Sequence, residues 1–357
     1  MSTHLKAKSN STVKKILVIR NDKLGDFMLA YPSFAMLKLT DPQMKVHTLV
    51  PGYTFEMARN CEWIDEAVCD PGQDAGLSGL LALVKLLKRE KYDAAITLFS
   101  TTRIGLALLL AGIPLRIAPA TKLAQVFYNK KRVQRRSYSI KPEYEYNLDL
   151  IKYFFELRSV TKVHVGNPPY LKFNPAEMSE LKKNFISELA LDNSSPIIMV
   201  HPGSGGSANN LSINKYADLI SELANEMVSQ VVITCGPGEV ELANQLHALM
   251  EKKGGTAKIY ESKKGLIAFS KIIQLSGIFI SGSTGPLHIA GALNRKTIAF
   301  YPRGKVTSSL RWQATNESAN RLSFFPDEKF SENDMDSIDI KKVIIDAKQK
   351  FDLSEAR

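Results

Sequence analysis

Strand–helix alternation in two successive blocks predicts an α/β protein built of two doubly wound, Rossmann-like domains. Three observations carry this. The chain has 357 residues, about twice the length of an ordinary domain. Each half opens on a short apolar run followed by a polar or glycine-rich loop: KKILVIR at Lys14–Arg20, and Ile197–His201. Between the halves, VGNPPYLKFNP (residues 165–175) carries three prolines and little periodicity, as a connection between domains does. The chain therefore divides into a disordered arm (1–13), a first domain (14–165), a connection (166–195), a second domain (196–335) and a C-terminal helix (336–357).

The elements follow in order. After Lys14–Arg20, strands are expected at Lys45–Val50, Ala67–Asp70, Asp93–Phe99 and Arg116–Ala118. A helical pattern started or interrupted by Pro32 ends near Leu39, and helices follow at Tyr53–Cys61, Ser78–Lys91, Thr101–Ala111 and Glu143–Leu157. Leu80, Leu81, Val84 and Leu87 recur at helical spacing. Glu177–Leu189 reads as a helix within the connection. The second block has strands at Ile197–His201, Gln230–Thr234, Ala257–Tyr260, Gly277–Ser281 and Thr297–Tyr301. Helices separate them at Asn214–Met227, Glu239 to about Lys252, Leu266–Leu275 and Pro286–Leu293, and Ile340–Phe351 closes the chain.

Composition excludes several classes. At 44% hydrophobic and 23% charged the chain is ordinary globular material, not a disordered, collagen-like or disulfide-stapled one. Cys61, Cys69 and Cys235 are odd in number and form no C-x-x-C pair. That argues against a disulfide framework or structural zinc, for a reducing cytosol, and for three small buried thiols. The longest apolar stretch, Ile104–Ile113, is about half of what a spanning helix needs. The polar N-terminus lacks the apolar region of a secretory signal. Forty-seven Lys and Arg against 36 Asp and Glu leave a net charge of +11. Anionic lipid, phosphorylated substrates and nucleic acid all suit such a balance, and so does a merely solvated basic face. The densest cluster is Lys130, Lys131, Arg132, Arg135 and Arg136.

In doubly wound sheets, ligands sit outside the carboxyl ends of the strands, so the loops leaving those ends hold the candidates. Asn21–Asp26 follows the first strand. Asp26 either caps a helix or faces the cleft as a general base, and spacing alone favours the cap; Arg20 and Lys23 are nearby cations, either solvated or candidates to hold an anionic acceptor. His201-Pro202-Gly203-Ser204-Gly205-Gly206-Ser207 can cradle phosphate through backbone N–H groups and hydroxyls. It lacks the Gly-Lys-Ser/Thr of a Walker A loop. Gly236-Pro237-Gly238-Glu239 is a second strand-to-helix turn, with Glu239 either starting the helix or meeting a base or ribose. Ser283, Thr284, Gly285 and His288 lie where a strand ends and a helix begins near Pro286, a position with free N–H groups and a positive dipole end. No metal site is expected: the six histidines are scattered, and the D-x-D at Asp334–Asp336 falls in a polar C-terminal stretch.

VIRNDKLGDFMLAYPSFAMLK, HPGSGGSANNLSINKYADLI, VVITCGPGE and SGSTGPLHIAGAL occur in that order. Together they resemble the ADP-heptose:lipopolysaccharide heptosyltransferases, glycosyltransferase family 9, over roughly Lys14 to Trp312. The resemblance implies a GT-B architecture, with two Rossmann-like domains facing across a cleft. It implies an inverting transfer of heptose from ADP-heptose to the inner core of lipopolysaccharide, without metal or cofactor. Asp26 matches the proposed general base. Ser204, Gly205 and nearby atoms match the donor-side loop; Thr284, Gly285 and His288 match the helix start that binds the donor diphosphate. The implied partners are the nucleotide sugar, a lipid A-borne core acceptor and an anionic membrane surface met peripherally, on the cytoplasmic side of the inner membrane; the cluster Lys130–Arg136 is a candidate for meeting those phosphates.

Two positions depart from the family pattern. Ala208-Asn209-Asn210-Leu211 stands where many relatives carry a Lys and a Trp, and Ser283 stands where an Asp is frequent. Arg303, Lys305 and Arg311 are candidates to replace the missing cation. The alternatives are another nucleotide sugar or glycan acceptor, and a non-catalytic glycan- or nucleotide-binding relative. Nucleic-acid binding rests on charge alone, with no aromatic-plus-basic motif beside it, and is not expected.

Overall fold

The computed structural model describes residues 13–72, 74–120, 123–206 and 209–351. The arm expected over 1–13, apart from Val13, and the last six residues of the expected C-terminal helix lie outside them.

Two six-stranded parallel sheets form the framework. The first contains β1 (Lys15–Ile19), β2 (Lys45–Val50), β3 (Glu66–Cys69), β4 (Ala94–Thr97), β5 (Leu115–Pro119) and β6 (Lys130–Arg132), in the order β3-β2-β1-β4-β5-β6. The second contains β7 (Ile197–His201), β8 (Gln230–Cys235), β9 (Lys258–Glu261), β10 (Ile278–Gly282), β11 (Lys296–Phe300) and β12 (Arg321–Phe324), in the order β12-β11-β10-β7-β8-β9. Counted from its own first strand, each sheet has the order 3-2-1-4-5-6. The order reverses between β1 and β4 and again between β7 and β10, and a crevice opens at each reversal because the adjacent loops leave in opposite directions.

β1 and β7 read as unbroken apolar runs because both faces are covered. Ile16 and Val18 enter one core cluster while Leu17 and Ile19 enter another. Ile198 and Val200 serve the second domain's own core, whereas Ile197 and Met199 join the cluster of Ile16 and Val18. The inner faces of the two sheets therefore share one continuous apolar core. The helices are α1 (Leu24–Met28), α2 (Tyr31–Thr40), α3 (Phe55–Arg59), α4 (Gly76–Glu90), α5 (Thr102–Leu110), α6 (Glu143–Leu157), α7 (Pro175–Leu189), α8 (Ile213–Glu226), α9 (Val240–Lys252), α10 (Gly265–Gln274), α11 (Gly285–Ala292) and α12 (Ile340–Lys350). Among the described residues, no helix is long and apolar enough to cross a membrane.

Three expectations are corrected. β6 and β12 were not expected: Lys-Lys-Arg and Arg-Leu-Ser-Phe are edge strands that pair on one side only, so neither needs an apolar alternation. The single helical pattern around Pro32 is two helices, α1 and α2, with Pro32 in the first turn of α2. Cys61 and Cys235 are buried, but Cys69 is exposed, because the edge strand β3 turns alternate residues outward.

The two halves meet where α1 presses on α11. A Cβ on Gly25 would lie 2.8 Å from His288 Cδ2, and one on Gly285 would lie 2.8 Å from Leu24 Cδ2. The connection is tied to the same place, with Tyr170 and Leu171 N–H donating to Ala292 O at 2.7 and 3.1 Å. Gly25→Val should wedge these helices apart and lower stability by about 1–3 kcal/mol, as overpacking of a close contact does. Urea denaturation measures it, and an unchanged midpoint would mean the helices do not press on each other.

Candidate active site

The first-domain side of the site is organised around one guanidinium. Arg20, the residue after β1, is 2% exposed. Its Nε donates to Asp22 at 2.8 Å, its Nη1 to Glu143 at 3.0 Å and to Asn147 at 3.3 Å, and its Nη2 to Asp26. Asp26 sits in the first turn of α1, but Lys23 occupies the N-cap position and makes no side-chain cap. The capping role that spacing favoured for Asp26 is therefore not what the fold uses: its carboxylate turns to Arg20. Lys23 is exposed at the mouth of the same loop. Arg20, expected to meet the acceptor, is instead spent on protein carboxylates.

Glu143 opens α6 and is 1% exposed. It receives Arg20, Arg136 from the segment after β6, and Arg311 from the segment after β11, whose Nη2 lies 2.6 Å from Oε2. Its backbone N–H also donates to Arg311 O at 2.9 Å. Three guanidiniums thus face three carboxylates, Asp22, Asp26 and Glu143, and one of the cations comes from the second domain. Desolvation opposes a charge at Glu143, yet Arg136, Arg20 and Arg311 together hold its carboxyl below the usual carboxylate range. Burial pushes Asp22 up to about 7, against the pull of Arg20, and pushes Arg136 down to about 10, against the pull of Glu143.

On the second-domain side, the expected residues form two neighbouring groups at the reversal between β7 and β10. In the first, His201 Nδ1 lies 3.1 Å from Thr234 Oγ1 and Nε2 lies 3.4 Å from Glu239 Oε2. The Glu239 carboxylate accepts from Gly236 N at 2.9 Å and Gly205 N at 3.2 Å. It fills the space a side chain at Gly203 would need, which is why that position is glycine. Burial lowers the His201 pKa while Glu239 pulls it the other way. Ser204 lies in the same loop.

In the second group, Ser283 and Thr284 precede Gly285, the first residue of α11, with Pro286 in its first turn. Thr284 Oγ1 and His288 Nδ1 are both buried without a protein hydrogen-bond partner. Burial pushes His288 down to about 4, so its imidazole is neutral at physiological pH. A helix start with free N–H groups, a hydroxyl and a neutral imidazole is equipped to receive an anionic oxygen. Asn210 joins the two groups: its Nδ2 donates to Pro202 O at 2.8 Å, and a Cβ on Gly282 would lie 2.7 Å from its Oδ1.

Sequence reading missed Glu143, Asp22 and Asn147, and it grouped Arg136 with the cations expected to meet phosphates, whereas the structure pairs it with Glu143. Glu143 carried the signal of a carboxylate opening a helix, but nothing near it in sequence pointed to Arg20. The candidate replacements for the missing lysine are engaged elsewhere. Arg303 Nη2 donates to Phe330 O at 3.0 Å, Lys305 stacks on Tyr138 with Nζ 5.2 Å from the ring centre, and Arg311 serves Glu143. Asn209, at the lysine position, donates to Asn333 Oδ1 at 3.1 Å. Asp336 of the D-x-D accepts from Ser212 N at 2.8 Å. Among the described residues, the group of His and Glu atoms close enough to share a cation is His47, Glu66 and Glu90. It lies at the amino end of the first sheet, away from the cleft loops, with Lys15 Nζ already 2.9 Å from Glu90.

The family model for glycosyltransferase family 9 (heptosyltransferase) matches residues 80–338. The chain belongs to glycosyltransferase family 9. A Haemophilus influenzae protein provisionally named a glycosyltransferase is 42% identical over 88% of this chain and 90% of its own length. Lipopolysaccharide heptosyltransferase 2 of Escherichia coli K12 is 24% identical over 80% of this chain and 82% of its own. The structure of E. coli ADP-heptose lps heptosyltransferase II superposes with a TM-score of 0.75 at 20% identity, covering 96% of this chain and all of that one. This family 9 glycosyltransferase thus has the GT-B fold, with its two doubly wound sheets opening towards one cleft.

Two outcomes follow from the buried cluster. Glu143→Ala should cost about 3–5 kcal/mol, because it leaves the buried Arg20 and the largely covered Arg136 and Arg311 without their shared partner; urea denaturation reads it. The second concerns pH. Asp22 has a folded-state pKa above its unfolded one, so its contribution is complete below about pH 4 and is lost as pH rises through about 7. Glu143 has the opposite sign, its contribution being lost on acidification. Wild type should therefore lose stability relative to Asp22→Asn between about pH 4 and about pH 7; denaturation midpoints that run parallel across that window would contradict it.

Proposed function

We propose that this glycosyltransferase moves heptose from ADP-heptose to the inner core of lipopolysaccharide, with inversion and without a metal ion. The observation that carries the reading is the contact of α1 with α11. Asp26 is the neighbour of Gly25, whose Cα faces His288 at the anion-receiving start of α11. We take Asp26 as a base on one domain and the start of α11 as a diphosphate seat on the other, on the two sides of that contact.

In this reading Asp26 takes the proton from the acceptor hydroxyl as its oxygen attacks the anomeric carbon. The bond from that carbon to the β-phosphate oxygen breaks, and ADP leaves. Arg20 acts through Asp26: fixed by Glu143 and Asn147, it holds the carboxylate in one orientation. The charge developing on ADP is met by the N–H groups opening α11, by Thr284 Oγ1 and by His288, which being neutral can donate from Nδ1. The glycine-rich loop of Gly203, Ser204 and Gly205, with Gly236 and Glu239, lines the nucleotide side. No metal is called for, since backbone dipoles supply the counter-charge and Glu239 is already held by N–H groups. The relatives named as heptosyltransferases support the donor and acceptor classes. Because such an acceptor is lipid-borne, the reading puts the enzyme at the cytoplasmic face of the inner membrane.

Asp26→Asn should lower turnover of ADP-heptose with a truncated lipopolysaccharide acceptor by about 10²–10⁴-fold, the usual worth of a general base, while ADP binding by calorimetry stays near wild type. Undiminished turnover would remove Asp26 from the mechanism. Stronger thermal stabilisation by a UDP- or GDP-sugar than by ADP-heptose would overturn the donor.

A further inference from the structure

We infer that the outer edge of the first domain, residues 123–140, is a docking face for an anionic lipid bilayer. Its purpose rests on the reading of a lipid-borne acceptor; the physical case for it does not.

The first observation is apolar exposure. Leu123 is 85% exposed, Val126 71%, Val133 72%, Ile140 72% and Tyr138 49%. Single exposed apolar residues are ordinary, but four aliphatic side chains and a tyrosine exposed within 18 consecutive residues are a concentration that needs a reason. The backbone holds them out. Ala124, Tyr128 and Gln134 of the same segment are buried, Gln134 Nε2 donates to Tyr146 O at 2.6 Å, and β6 is paired with β5 from Lys130 to Arg132. Turning the apolar side chains inward would require pulling these anchors out.

The second observation is charge. From residue 94 to residue 142 the chain contains nine Lys and Arg and no Asp or Glu. Lys130, Lys131 and Arg135 are exposed among the apolar side chains. The Tyr138 ring lies 5.7 Å from the Arg135 guanidinium and 5.2 Å from Lys305 Nζ of the other domain. Lysines on β6 would guard an edge strand against pairing, but that leaves the exposed aliphatics without a reason. Nucleic acid would use the cations and not the aliphatics. Aliphatic side chains that enter the acyl boundary, ringed by cations that meet headgroup phosphates, suit an anionic bilayer on both counts. The face is also continuous with the cleft, because Arg136 of the same segment reaches Glu143. An acceptor could thus present its sugar to Asp26 with its acyl chains still in the bilayer.

The test uses the full chain, without donor or acceptor, and sedimentation with vesicles of phosphatidylethanolamine with and without phosphatidylglycerol. Binding is expected to the anionic vesicles, weakening with salt. The pairs Leu123→Asp/Val126→Asp and Lys130→Glu/Lys131→Glu should each reduce it by about tenfold or more, with unchanged melting temperatures. Absence of binding by wild type, or binding indifferent to both pairs, overturns the inference. So does a dimer in sedimentation velocity that the Asp pair dissolves, since the face would then be an interface between copies. A chain that binds anionic vesicles but rejects ADP-heptose overturns the donor reading alone.

Discussion

The interaction on which the rest depends is the buried carboxylate of Glu143 and the three guanidiniums gathered on it. Each of those cations would be costly to bury alone, and so would the carboxylate. Asp22 and Asp26 add to the compensation, and the cluster is complete only when both domains are present, because Arg311 arrives from the segment after β11. The same cluster orients Asp26 through Arg20. A charge network that exists for burial reasons is thus also the device that fixes the Asp26 carboxylate and registers one domain against the other.

Close packing does the remaining alignment. α1 has five residues, too few to be stable by itself, and owes its position to α11 and to the bonds of Arg20. Gly25 and Gly285 let the two helices approach where any side chain would collide. The core shared by Ile16, Val18, Ile197 and Met199 makes the boundary an apolar interior as well as a polar cleft. A site divided between domains can be precise only if its halves are held this firmly, or close to this geometry when substrate arrives.

Much of the architecture was legible because both sheets are buried on both faces. Unbroken apolar runs such as Ile197–His201 and the helical stripe of Asn214–Met227 need no tertiary knowledge to be read, and their bounds were close to those of β7 and α8. The missed strands, β6 and β12, each lie at one edge of their sheet, where one-sided pairing leaves short polar segments such as Lys-Lys-Arg free of that pattern. The candidate loops were likewise legible as strand-to-helix turns, since glycine, hydroxyl residues and a helix start after a strand mark such turns. What stayed hidden was the partnership of Arg20 with Glu143, 123 residues away.

The amino-acid sequence by itself determined the strand–helix alternation, the two-domain division, the glycine-rich and helix-start loops that follow the strands and the family to which they belong, because each is written in neighbouring residues and local periodicity. Only the tertiary structure decided that Asp26 is held by Arg20 and does not cap α1, that Arg311 is spent on Glu143, and that Glu239 fills the hollow at Gly203. Those choices depend on which distant charges share one desolvated volume, and burial, unlike periodicity, is a property of the whole fold.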